Sequence, residues 1–129
     1  MDYLHCFANA SLTLRLIEYL ESRPDLPVAF MSVIHDVDRW LVRIKLRFPL
    51  PLEQDGDFWA FLNELGFPAQ PSEQVRLVLR DLEVGDCPTL VMRRYRVVVI
   101  SHGLPGRADI EAFRQQFIRG LGYCPQHLA

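Results

Sequence analysis

The spacing of apolar residues changes along the chain, and these changes predict its first strands and its first helix. Residues 3–7 form a short apolar run, and apolar side chains then recur at helical spacing over residues 12–20. Residues 27–34 are almost continuously apolar, which is typical of a strand covered on both faces. The order strand, helix, strand predicts a β-α-β unit.

Two patterns overlap in residues 38–48. Apolar side chains alternate with basic ones there, as in a strand with a cationic face. The same residues also carry an apolar stripe at helical spacing, with Asp36 as a possible cap and Pro49 as the stop. We favour the helix and keep the strand as the alternative.

Two more helices are predicted in the middle of the chain. One covers residues 58–65 and is closed by Gly66. The other has apolar positions from Val75 to Leu82 and ends at Gly85. Together with the favoured helix over residues 38–48, these segments make residues 35–85 a mostly helical insertion.

The last third of the chain contains Pro88 in front of an apolar run. Because proline cannot donate a hydrogen bond to a sheet, we place it at the first residue of a strand that continues through Met92. A proline there, after a short loop, is a candidate cis-proline. The β-branched run at residues 96–101 predicts a second strand, and apolar spacing over residues 110–121 predicts a helix.

This element order resembles the thioredoxin fold, and Pro88-Thr89-Leu90 is its most specific match. The resemblance implies one α/β domain over residues 1–129, with a thioredoxin-like mixed sheet in the order β-α-β, helical insertion, β-β-α. The loop and helix at residues 7–20 are similar in spacing to those of the KaiB family. The DsbA and kappa-class glutathione transferase group also accepts a serine near the helix start. Such folds carry many functions, so the resemblance names no reaction.

Composition excludes several classes of protein. The chain has 129 residues, half of them apolar, which is enough for a core without disulfides or a structural metal. A net charge of −2 with both signs interspersed does not indicate a nucleic-acid partner. We find no signal peptide and no run of transmembrane length, so we expect a cytoplasmic location and no membrane partner. Three widely spaced cysteines fit reduced thiols better than disulfides.

The start of the first helix lacks the residue that redox members of the resembled fold place there. Free amides and the helix dipole at that position stabilise a thiolate. The matching loop here has Asn9 and Ser11 but no cysteine, and we interpret Ser11 as the helix cap. Reading Cys6 as the start of the motif would shorten the first strand severely, so we interpret it as a small buried hydrophobe. This pattern argues against ordinary disulfide exchange.

Cys87 is the remaining candidate for chemistry. In the resembled fold the residue before the cis-proline faces the first helix, so Cys87 would lie beside the usual active site. The dipole of the helix capped by Ser11 could then lower its pKa. We favour the alternative of an inert thiol packed under the loop, because buried inert cysteines are common. Cys6 and Cys87 could also lie on neighbouring strands, and a bridge between them would need Cα atoms within about 7 Å.

Two functions of different class follow. The first is a non-catalytic domain, without a cofactor, that binds a protein partner or an extended peptide through backbone hydrogen bonds over Asn9, Ser11, Pro88 and Thr89. The second is a monothiol oxidoreductase or transferase that uses Cys87, with glutathione as a possible cofactor. We favour the first because the dithiol is missing. No metal site is expected, because the cysteine and histidine at the end of the sequence lack a second pair of ligands.

Overall fold

A five-stranded sheet with helices on both faces organises the molecule, and the computed structural model describes residues 2–129 of it. The strands are β1 (Asp2–Phe7), β2 (Val28–Asp36), β3 (Arg39–Leu46), β4 (Phe67–Pro68) and β5 (Val98–Gly103). The helices are α1 (Ala10–Ser22), α2 (Leu52–Leu65), α3 (Glu73–Glu83), α4 (Pro88–Tyr95) and α5 (Ala108–Leu121). A 3-10 turn follows at Gln126–Leu128.

The strand order is β4-β1-β3-β2-β5, and every neighbouring pair is antiparallel. The α/β class is therefore confirmed, but the sheet is antiparallel and not mixed. The reason is that β2 turns back into β3, which inserts between β1 and β2 and leaves these two running in the same direction. From β1 to β4 the chain thus follows the β-α-β-β-α-β order of a split β-α-β unit.

The favoured helix over residues 38–48 is wrong, because most of this segment is the central strand β3. Strand alternation sends Trp40, Val42 and Ile44 to one face of the sheet, where each is at most 1% exposed. Arg43 and Lys45 point to the other face. Position-by-position pairing with both β1 and β2 stabilises the strand. Residues 35–85 therefore contain two strands as well as two helices, and they are not a mostly helical insertion.

The predicted strand after Pro88 is also wrong. Residues 88–95 form α4, with Pro88 at its first position, and no peptide bond within residues 2–129 is cis. Proline fits the first turn of a helix because its missing N–H would have no partner there. Arg96 then adopts a left-handed conformation that ends the helix. The second predicted strand is confirmed as β5, displaced by two residues from the expected bounds.

Two apolar cores lie on opposite faces of the sheet. The helices α1, α2 and α5 cover one face, and α3 and α4 cover the other. The first core includes Phe7, Leu16, Ile17, Trp40, Phe58, Leu62, Ile110 and Leu128. The second includes Cys6, Ile34, Leu41, Val78, Leu82 and Val91. Among residues 2–129, no helix combines the length and the apolar character that crossing a membrane requires.

Candidate functional site

The predicted binding residues at the start of α1 have different roles from those expected. Asn9 is the helix cap, because its side-chain oxygen accepts a hydrogen bond from the backbone N–H of Leu12 at 3.0 Å. Ser11 lies inside the helix, is exposed, and donates a hydrogen bond to the carbonyl of Ala129. Asparagine caps helices as well as serine does, and β1 ends early enough for Asn9 to take that place.

Cys87, Pro88 and Thr89 lie on the other side of the sheet from Asn9 and Ser11. They begin α4, which packs in the second core, whereas α1 packs in the first. The structure therefore does not bring the two halves of the predicted site together. Because Cys87 is outside the sheet, it is not on a strand next to Cys6.

The three thiols have different surroundings. Cys6 is buried, and burial raises the pKa of its thiol, so its interpretation as a small buried hydrophobe is confirmed. Cys87 is exposed at the N-cap of α4. The backbone N–H groups of Thr89 and Leu90, with the Thr89 hydroxyl, stabilise its thiolate and lower its pKa. The helix that does this is α4 and not α1.

The environment of Cys87 predicts its reactivity. We expect alkylation by iodoacetamide to titrate with a midpoint below the free-thiol value of about 8.5, and Thr89→Val to move that midpoint upwards by removing one donor. Mass spectrometry of labelled peptides from pH-jump reactions gives the rate at each cysteine. The exposed Cys124 monitors the reagent, and the buried Cys6 should react only in denaturant. A Cys87 midpoint at or above the free-thiol value would contradict this prediction.

A groove of about 470 Å³ opens beside β1 on the face that carries α3. It exists because β4 pairs only with His5 and Cys6, which leaves the first half of β1 without a strand neighbour on the edge opposite β3. Apolar side chains form its floor and charged ones its rim, and we call it the arginine groove. The floor consists of Leu4, Ala69, Pro71 and Leu79, and the rim of Asp2, Arg43, Arg76, Arg80 and Glu83.

At one end of the arginine groove, cations and carboxylates neutralise each other. The Arg43 guanidinium lies 2.6 Å from the Asp2 carboxylate and 2.9 Å from that of Glu83. Lys45 also contacts Glu83. Lys45, and to a smaller extent Arg43, hold the pKa of the Glu83 carboxyl below its usual value. The Arg43 guanidinium further stacks over the ring of Phe30 at 5.8 Å. Arg43 is therefore fixed in position and already paired.

At the other end, two arginines remain available. Arg76 and Arg80 lie one turn apart on α3, so their side chains are neighbours on the helix surface. Within residues 2–129, Arg76 makes no ion pair, and Arg80 contacts only Asp81 at 3.3 Å with its side chain 65% exposed. The second oxygen of Asp81 is occupied by Arg94 and Tyr95, each at 2.7 Å. The guanidinium groups of Arg76 and Arg80 can thus bind an external anion.

The charge of the arginine groove is opposite to that of the chain. Its rim carries three arginines and two carboxylates, a net charge of +1, whereas the whole chain has −2. The sequence contained a partial signal, because the strand alternative for residues 38–48 has a cationic face. We did not find the site from sequence, since its residues meet only when β3 lies in the sheet and α3 packs beside it.

The described residues 2–129 contain no group of three His, Cys, Asp or Glu side chains arranged to hold a metal ion. The side chains that line the arginine groove support charge pairing, hydrogen bonding and apolar burial. A search of protein-family models, curated proteins and solved structures gives no match to this chain.

Proposed function

We propose that this domain is a non-catalytic binding module that docks an acidic, partly apolar segment of a partner protein in the arginine groove. The observation that carries the proposal is the combination of an apolar floor with Arg76, which makes no ion pair within residues 2–129, and Arg80, which is 65% exposed and contacts only Asp81. The proposal keeps the predicted partner, a protein or peptide. It places the binding surface in the arginine groove and not at Asn9, Ser11, Pro88 and Thr89.

The rim selects for carboxylates. A guanidinium group can hold a carboxylate with two parallel hydrogen bonds, which gives both energy and orientation. Arg76 and Arg80 share one side of α3, so one acidic segment could reach both. Asp2 and Glu83 do not cancel this preference because they are bonded to Arg43.

The floor selects for an apolar side chain between the acidic ones. Leu4 and Ala69 are partly exposed beside the nearly buried Leu79, so a ligand side chain placed there would remove apolar surface from water. Apolar burial adds affinity that salt does not screen, while the arginine contacts weaken as ionic strength rises. An acidic peptide without apolar residues should therefore bind more weakly.

Fluorescence anisotropy with short labelled peptides tests the proposal. We expect a peptide of alternating Glu and Leu to bind more tightly than versions with Lys in place of Glu or Ser in place of Leu. Arg76→Ala with Arg80→Ala should weaken binding of the Glu/Leu peptide about tenfold, because partly exposed ion pairs are worth up to about 1 kcal/mol each.

The matched control is Arg15→Ala with Arg119→Ala, which removes the same charge from exposed positions on α1 and α5. It should leave affinity for the Glu/Leu peptide nearly unchanged. Equal losses in the two double variants would mean that only net charge matters, and the proposal would fail. It would fail equally if the Glu/Ser peptide bound as well as the Glu/Leu peptide.

Thiol chemistry at Cys87 is the second candidate, favoured by its exposed position at the N-cap of α4 and by the lowered pKa of its thiol. In such a reaction the Cys87 thiolate attacks a disulfide, one sulfur forms a mixed disulfide with Cys87, and the other leaves as a thiolate. Glutathione disulfide would be a suitable co-reactant. A thioredoxin-like relationship lends little weight to thiol chemistry at Cys87, because Pro88 is trans and begins a helix.

The cytoplasmic location stays a prediction.

A further inference from the structure

Two imidazole rings meet between the sheet and the turn Gln126–Leu128, away from the arginine groove. His35 on β2 is only 6% exposed, and its ring centroid lies 5.2 Å from that of His127. The Nε2 atom of each ring is buried and has no hydrogen-bond partner among residues 2–129. Neither the binding proposal nor the Cys87 chemistry uses this pair.

The surroundings of the pair are mostly aromatic. The ring of His35 lies 5.4 Å from Trp40, 5.2 Å from Phe113 and 6.1 Å from Phe117, measured between centroids. These rings belong to β3 and α5, and they offer no carboxylate to a protonated Nε2. A charge on either imidazole would therefore be poorly solvated.

The charged groups near the pair come from the turn between β2 and β3. Asp36 and Asp38 act on His35 and favour its protonated form. Asp36 is also 3.5 Å from the Arg39 guanidinium, which offsets part of its negative charge. These acidic groups therefore oppose the effect of burial without providing a direct partner for Nε2.

The turn Gln126–Leu128 is attached to the sheet and to α1 by few contacts. The indole N–H of Trp40 donates to the carbonyl of His127 at 2.7 Å, and Leu128 is fully buried in the first core. Ser11 donates to the carbonyl of Ala129. The turn also forms one side of a second groove, whose other lining residues are Cys6, Phe7, Ala8, Asn9, Asp38, Arg39 and Phe67.

We propose that His35 and His127 make the turn Gln126–Leu128 a proton-sensitive latch, closed at neutral pH and released on acidification. Protonation of His35 would place a positive charge beside the imidazole of His127, with ring centroids 5.2 Å apart, and would leave a buried N–H without an acceptor. Release separates the rings and hydrates both. It also opens the second groove at the start of α1.

The direction of the pH effect follows from His35. Burial, and then the charge of His127, lower the pKa of His35 when the latch is closed. In the released state an imidazole titrates near about 6.5. The closed state therefore binds fewer protons, so closure is favoured above that value and is lost as the pH falls through the lower pKa of the closed state.

The indole N–H of Trp40 reports directly on the latch because its acceptor belongs to the turn. We expect its hydrogen-exchange protection factor, measured by NMR, to fall by up to about tenfold between about pH 7.5 and 5.5, while far-UV circular dichroism stays constant. The more exposed Trp59 supplies a reference indole in the same spectra.

The double variant His35→Gln with His127→Gln removes both imidazoles, so the protection of Trp40 should no longer depend on pH. If that variant does not fold, His127→Gln alone leaves the sheet unchanged and should reduce the fall in protection. Constant protection of Trp40 in the wild-type protein would overturn the proposal. The proposal would also be overturned by a histidine variant that folds and in which Trp40 loses protection on acidification as it does in the wild-type protein.

Discussion

Gly66→Ala is expected to destabilise the protein more than any other single methyl addition at a glycine. An added Cβ would overlap with the Cys6 carbonyl oxygen and with the Phe7 ring. One of these atoms is backbone of β1 and the other belongs to a fully buried side chain, so neither can move cheaply. Overpacking of this kind costs about 1–3 kcal/mol or more, a large part of a typical stability of about 5–15 kcal/mol.

Gly56→Ala is the matched control, because it makes the same chemical change within α2. A Cβ there meets nothing within 4 Å. Alanine is favoured over glycine in a helix by about 0.5–1 kcal/mol, so this variant should be more stable than the wild-type protein. Urea denaturation gives both free energies of unfolding. If Gly66→Ala changed stability as little as Gly56→Ala, the close approach of α2 to β1 would be wrong.

Phe58→Ala is expected to destabilise the protein at least as much as Gly66→Ala. Phe58 is 1% exposed in the first core, and its ring meets Tyr3 edge-to-face at 4.9 Å between centroids. It also stacks with Tyr19 at 6.2 Å. Removing a buried phenylalanine ring leaves a cavity and costs about 3–5 kcal/mol. A fall of this size in the free energy of unfolding should appear in both urea and thermal denaturation.

The adjacent Trp59 provides the contrast. It is 41% exposed on the same helix, although its ring contacts His5 edge-to-face at 4.9 Å. Trp59→Ala should therefore cost about 1 kcal/mol, mainly from that aromatic contact. Similar losses at positions 58 and 59 would show that α2 is rotated relative to the orientation described above.

The sequence predicts those elements in which the spacing of apolar residues fits either a helix or a strand, but not both. The helical spacings that begin at Leu12, Phe58 and Val75 all became helices, because each segment buries one stripe and leaves its other faces in water. Residues 38–48 carried both periods, and only pairing with two neighbouring strands decides between them. The sequence of the turn before β3 does not predict a hairpin, because the exposed Val37 adopts a positive φ at which asparagine or glycine is usual.

The Pro88 segment was misread for a different reason. A proline is acceptable both at the first residue of a strand and in the first turn of a helix. The sequence does not state which partner covers Val91, the one fully buried residue of α4. The exposure of Cys87 and the direction of its pKa shift agree with the hypothesis of an activated thiol and not with the favoured one of an inert thiol packed under the loop, although the stabilising amides belong to α4.

The arginine groove depends on contacts between distant parts of the chain, and for that reason the sequence did not reveal it. Arg43 comes from β3, whereas Arg76 and Arg80 come from α3. Their positions in the chain give no measure of their separation in space. The helical spacing of Arg76 and Arg80 alone is equally typical of an ordinary solvated helix face.

An NMR titration with the Glu/Leu peptide is the most direct test of the binding proposal. Backbone amide shifts of the ¹⁵N-labelled protein should change around Leu4, Ala69, Arg76, Arg80 and Glu83, which surround the arginine groove. In the Arg76→Ala, Arg80→Ala double variant the same changes should need about tenfold more peptide. Shifts centred instead on Asn9 and Ser11, on Cys87, or on no single surface would contradict the proposal that the arginine groove is the binding site.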